Sequence, residues 1–238
     1  MKTRIVLTLG LLAAGALFAA DSGLTDPVKD AIAKLKGQAN YSWTATVELP
    51  GMEFTPGSMK GQAEKDGYAL VSQEMNDNTL QAAFKGDQTA IKVEDQWQRL
   101  SEAEGFGARM GWFLARTRTA AQEAEKLLGQ VKALKAGEGG LLSGDLTDEG
   151  AKEMLSMGPR RPDIGQAPPA PKNAKASVKF WLKEGGLNKF ESHVKGTIAF
   201  GPDQEEREIE VIRTVVIQNV GTTQVAIPAE AKKKLEAK

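Results

Sequence analysis

From residue 40 to residue 100 the chain is interrupted at strand-length intervals by turn-forming residues: Pro56-Gly57, Asp66-Gly67, Asn76-Asp77-Asn78, Gly86-Asp87 and Asp95-Gln96. Glycine and Asn/Asp reach the left-handed backbone of tight turns at little cost, and proline presets the first turn residue. Connections this short force each strand to pair antiparallel with its neighbour in sequence. The stretch therefore predicts an antiparallel meander of about six strands. Its first strand lies in "YSWTATVEL", where Trp43, Ala45, Val47 and Leu49 alternate with Ser42, Thr44, Thr46 and Glu48. One face of such a strand is apolar and needs a cover.

The cover is helical. "TDPVKDAIAKLKG" places Val28, Ile32 and Leu35 on one helical face, with Thr25 as the expected cap and Gly37 as the stop. In "ARMGWFLARTRTAAQEAEKLLGQVKALKAG", Met110, Phe113 and Leu114, then Ala121, Ala124, Leu128 and Val131, recur at helical spacing. Thr119 and Gln122 have the spacing of a capping box, which divides the segment into two helices. Alternation of small and large residues along this stripe buries less area per turn than leucines would, so the segment is expected to move as a lid. "GLLSGDLTDEGAKEML" reads as a short strand and a helix capped by Thr147, and the chain closes on the basic helix "AEAKKKL".

Two further stretches are strands. "SVKFWLKEGGLNKFESHVKGTIAF" is a hairpin about Gly185-Gly186, and "EREIEVIRTVVIQNVG" is a long strand. Val211 to Ile217 is apolar on both faces apart from Arg213 and Thr214, which predicts a cover on each side. Between the two halves of the chain, "MGPRRPDIGQAPPAPKNA" carries five of the ten prolines and no apolar periodicity. A flexible loop is expected over 157–174, in which Arg160-Arg161 read as ordinary solvated loop residues rather than as a site for an anionic partner. The strands after it are too few to bury both their faces alone, so residues 21–238 are expected to form a single domain.

Lys2 and Arg4 precede an apolar or small run from Ile5 to Phe18 that ends in Ala19-Ala20. That run is short of the roughly 20 residues a membrane span needs and reads as a signal peptide over 1–20, cleaved on export after Ala19 or Ala20. An uncleaved anchor is the alternative, because Leu17 or Phe18 falls at the minus-three position. Its loss removes two of the 31 basic residues and none of the 31 acidic ones, leaving a net charge of −2. A near-neutral surface offers no footprint for nucleic acid. With no Cys, an exported chain relies on its core rather than on disulfides, which fits a bacterial periplasm.

The sequence offers little for catalysis. One His and no Cys leave no zinc-binding or Cys/His pattern, and His193 falls on the wet face of its strand beside Lys189, Glu191 and Lys195. Asp145, Asp148 and Glu149 in "GDLTDEG" read as the acidic start of a capped helix rather than as an acid pair. No enzyme, no metal and no cofactor is expected.

The short helix entering "NYSWTATVEL", the meander reaching "KVEDQWQRL", the helical insert, "SGDLTDEGAKEML", "SVKFWLKEGGLNKFES" and the closing "VGTTQVAIPAEAKKKL" together resemble the periplasmic lipoprotein-carrier (LolA/LolB-like) superfamily. The resemblance implies an α+β fold: a curved antiparallel sheet, an open half-barrel, wrapped around helices with a cavity for acyl chains between them. Its implied partners are a lipid or lipoprotein acyl chain and an envelope protein, on a monomeric periplasmic chain. Residues expected to face the ligand are Trp43, Val47, Phe84, Trp112, Phe113 and Leu128. The alternative on the same fold is a protein-interaction or envelope-stress sensor.

Overall fold

The computed structural model describes residues 22–53, 56–75, 78–105, 111, 114, 119–156, 170–200 and 205–236. Within them one sheet has eleven strands in the order β6-β5-β4-β3-β2-β1-β11-β10-β9-β8-β7. Six strands make the meander: β1 Asn40–Glu48, β2 Met59–Glu64, β3 Tyr68–Met75, β4 Asn78–Lys85, β5 Gln88–Val93 and β6 Gln96–Arg99. The remainder are β7 Lys135–Ala136, β8 Leu141–Asp145, β9 Lys172–Lys183, β10 Gly186–Phe200 and β11 Glu205–Gln218. Every pairing is antiparallel. The two halves of the chain join where β1 pairs with β11, Trp43 standing opposite Ile217 and Ala45 opposite Val215. The sheet stays open, with β6 and β7 as its edges.

Four helices among the described residues cover it: α1 Thr25–Lys36, α2 Ala120–Gly129, α3 Asp148–Leu155 and α4 Ala229–Glu236. The main core lies between the inner face of the sheet and α1 to α3, and it centres on Trp43, Val71, Phe180, Phe190 and Val215 beneath Val28, Ala124 and Leu155. Full burial of each large side chain in this group contributes about 1.5–3 kcal/mol. On the outer face α4 lies over β4 to β6, where Ala231 and Leu235 pack on Ala83, Ala90, Tyr68 and Trp97. Alanines at 83 and 90 let the helix backbone come close to the sheet.

Three details depart from the sequence reading. A short 3-10 turn, Ser22–Leu24, runs straight into α1, so Leu24 occupies the cap position and Thr25 is the first helical residue. α2 ends at Gly129 and buries Ala120, Ala121, Ala124 and Leu127; Leu128 is only partly buried, and Val131 bridges to Leu146 beyond the helix. The outer face of β11 is not beneath α4, which packs over β4 to β6 instead, and Ile212 and Val216 there are half-buried. Cross-strand neighbours on β1 and β10 limit their exposure.

Of the loop expected over 157–174, residues 157–169 lie outside the described residues and β9 already begins at Lys172; the signal peptide expected over 1–20 lies wholly outside them. No described helix is long and apolar enough to cross a membrane.

Candidate functional site

Register arranges the inner face of β1 to β4 in rows. The outermost row is Tyr41, Ala63, Ala69 and Phe84; the next is Trp43, Gly61, Val71 and Ala82; the third is Ala45, Met59, Gln73 and Leu80. Successive rows are about 7 Å apart along the strands. Five of these twelve residues are alanine or glycine, and among the larger ones only Gln73 is an amide, so the face is mostly apolar with one indole across it. Gly61 makes this possible: a Cβ there would stand 2.1 Å from Trp43 ring carbons.

A cavity of about 250 Å³ opens at the outermost row. Tyr41, Ala63, Ala69 and Phe84 line it from the sheet and Ala121 from α2, while Lys36, Gln38, Lys65 and Asp87 stand at its rim. Ligand sites for drug-sized molecules occupy roughly 300–1,000 Å³. This one is smaller, and half of its sixteen lining residues, Lys36, Glu64, Lys65 and Asp87 among them, are polar or charged.

The N-terminus of α2 forms one wall and is held by polar contacts. Thr119 and Gln122 complete a capping box, with the Gln122 amide donating to Thr119 Oγ1 at 3.3 Å and the Thr119 amide to Gln122 Oε1 at 3.1 Å. The Ala121 amide donates to Tyr41 Oη at 3.4 Å. Burial pushes the Tyr41 phenol above its ordinary range, and contacts with Thr119 and Ala121 offset part of that. Further along, Arg213 on β11 donates to both oxygens of Glu123, at 2.6 and 3.0 Å. Burial pulls the guanidinium down, and the charge and hydrogen bonds of Glu123 more than reverse this, leaving it above its ordinary range. Lys36–Glu125 at 3.1 Å and Lys126–Glu153 at 2.6 Å tie α2 to α1 and α3 at the surface. Its apolar contact is mostly alanine, so α2 depends on its cap and its buried ion pair more than a leucine-faced helix would. Thr119→Ala is expected to cost about 1 kcal/mol; a lower urea midpoint at unchanged slope checks it.

Of the residues expected at a ligand site, Phe84 lines the cavity. Trp43 is buried in the second row, its ring centroid 5.7 Å from that of Tyr41. Val47 is half-buried on β1 opposite Arg213, and Leu128 is partly buried against the main core. Trp112 and Phe113 lie outside the described residues. Sequence reasoning missed Tyr41 and Ala121; the signal was the period-two pattern of β1, which puts Tyr41 on the same face as Trp43.

Nothing at the acidic turn resembles an acid pair. Thr147 Oγ1 accepts from the Gly150 amide at 3.1 Å, and Asp148 accepts from Lys132 at 2.9 Å. That hydrogen bond, with the Lys132 charge, holds the Asp148 carboxyl below its ordinary range. His193 meets Glu210 at 2.6 Å on the outer face. Among the described residues no cluster of His, Asp and Glu could hold a metal ion.

No protein-family model matches the chain, and no curated protein does either. Solved structures do match in layout. LprF from Mycobacterium bovis is 13% identical with a TM-score of 0.42, over 88% of this chain and 97% of that one. The Mycobacterium tuberculosis lipoprotein LppX is 15% identical with a TM-score of 0.44, over 87% and 100%. A LolA superfamily protein from Nitrosomonas europaea is 8% identical with a TM-score of 0.35, over 84% and 94%.

Proposed function

We propose that the protein is a non-enzymatic binding or carrier protein for an acyl chain or other apolar ligand, exported to a bacterial periplasm on a cleaved leader and acting as a monomer. The observation that carries this reading is the cavity at the outermost row, whose sheet-side residues Tyr41, Ala63, Ala69 and Phe84 continue inward as mostly apolar rows under a helix faced with alanines. A ligand chain enters beside Phe84 and extends along the rows as α2 gives way. Trp43, Val47 and Leu128 complete the surface it meets as it extends. Envelope proteins that deliver or receive the ligand are the natural partners.

One observation favours a sensor or interaction module instead: the second row is closed, Trp43 being 1% and Ala82 0% exposed. A fluorescent fatty-acyl probe separates the two readings. The carrier binds it, and Phe84→Ala changes the affinity about tenfold, the equivalent of roughly 1.4 kcal/mol of contact. Ala121→Phe, which fills the cavity, abolishes binding while the circular dichroism stays that of the wild type. Failure of the wild type to bind any acyl probe favours the sensor.

A further inference from the structure

Buried polar groups in folded proteins almost always have partners, so an exception on an otherwise apolar face calls for a cause. The inner face carries two exceptions in adjacent rows. Trp43 Nε1 in the second row is a donor with no acceptor among the described residues. Gln73 Oε1 in the third row is an acceptor with no donor among them. The two residues are 1% and 5% exposed. Gln73 Nε2 reaches the Gly57 carbonyl only at 3.5 Å, so the amide is weakly held on its other side as well.

Both groups lie inward of the cavity on the same face. Contact of Gly61 with Cε2, Cζ2 and Cη2 of Trp43 shows that the indole lies over β2, between its own strand and the strand of Gln73. An apolar core needs neither group. Phe at 43 and Leu or Met at 73 would fill similar space without an unpaired polar atom, and leaving one buried is destabilising. Groups that weaken the fold without a structural return are those a binding site retains.

We propose that Trp43 and Gln73 are the polar contacts of the ligand site, and that the ligand is an uncharged acyl ester bearing a hydroxyl group. Its carbonyl oxygen accepts from Trp43 Nε1, and its hydroxyl donates to Gln73 Oε1. Neither side chain is charged, so a carboxylate or ammonium brought to these rows would lack a counter-charge there. The inference rests on the carrier reading and specifies which apolar ligand that carrier takes.

The test uses the full mature chain, with its tryptophans labelled with ¹⁵N, and two probes: monodecanoylglycerol, an ester with hydroxyls, and methyl decanoate, an ester without them. Trp43→Phe assigns the Trp43 indole resonance among the four. Both esters are expected to move that resonance downfield. Gln73→Leu is expected to weaken monodecanoylglycerol about tenfold, leave methyl decanoate unchanged and raise the urea midpoint, a combination that a purely structural glutamine would not give. If the probes bind while the Trp43 resonance stays still, or if Gln73→Leu weakens both or neither, the inference fails and the carrier reading stands. If neither ester nor the fluorescent acyl probe binds the wild type, both fail together.

Discussion

Gly61→Ala is expected to destabilise the fold by about 3 kcal/mol, at the upper end of what overpacking a core costs. The added Cβ would lie 2.1 Å from Cε2 and Cζ2 of Trp43 and 2.6 Å from Cη2. These are atoms of a rigid ring that is 1% exposed, so no flexible chain end can swing aside. Either the indole leaves the second row or β2 separates from β1, and each loses burial. Trp43→Leu alone costs about as much by leaving a cavity. The double variant is expected to be about 2 kcal/mol more stable than the sum of the two losses, because a leucine leaves room for the new methyl group. Additive losses, or a Gly61→Ala protein as stable as the wild type, would show that the indole does not lie over β2.

The second large effect concerns the ion pair that pins α2. Glu123→Gln leaves the Arg213 guanidinium, whose side chain is 18% exposed, facing a neutral amide. Breaking a buried pair by removing one member costs about 3–5 kcal/mol, and the partial exposure of this one puts the expected loss near 3. The unfolding temperature should fall by roughly 6–12 °C for a chain of this size. Replacing both members, Glu123→Leu with Arg213→Met, is expected to return stability to within about 1 kcal/mol of the wild type, because no charge is left uncompensated. A single variant within 1 kcal/mol of the wild type would mean that solvent, not Glu123, satisfies the arginine.

What the sequence made legible follows from how local each signal is. Turn residues at Asp66-Gly67 and Gly86-Asp87 act over four positions, and they delimited the meander correctly. The caps at Thr119 and Thr147 are equally local, and both are present. Long-range pairings were invisible: nothing near Arg213 points to Glu123, 90 residues away, or near Tyr41 to the amide of Ala121. The outer position of α4 was missed for another reason. The "AAF" run of β4 puts Ala82 in the main core and Ala83 beneath α4, and a small residue on either face reads the same in a sequence. Likewise the apolar outer face at Ile212 and Val216 called for a cover, whereas flanking strands limit its exposure instead. At the candidate site, alternation along β1 exposed the row logic, but the unpaired state of Trp43 Nε1 and Gln73 Oε1 depends on everything that surrounds them, which no pattern along the chain records.

The central claim, that this sheet and its helices enclose an apolar ligand, is tested most directly by extracting gently purified protein with organic solvent and quantifying the extract by mass spectrometry against protein. The expected result is about one acyl-bearing molecule per chain, lost in Ala121→Phe, whose side chain fills the cavity beside Phe84. An extract with no acyl-bearing molecule in stoichiometric amount, from a protein that also takes up none when offered, would contradict it.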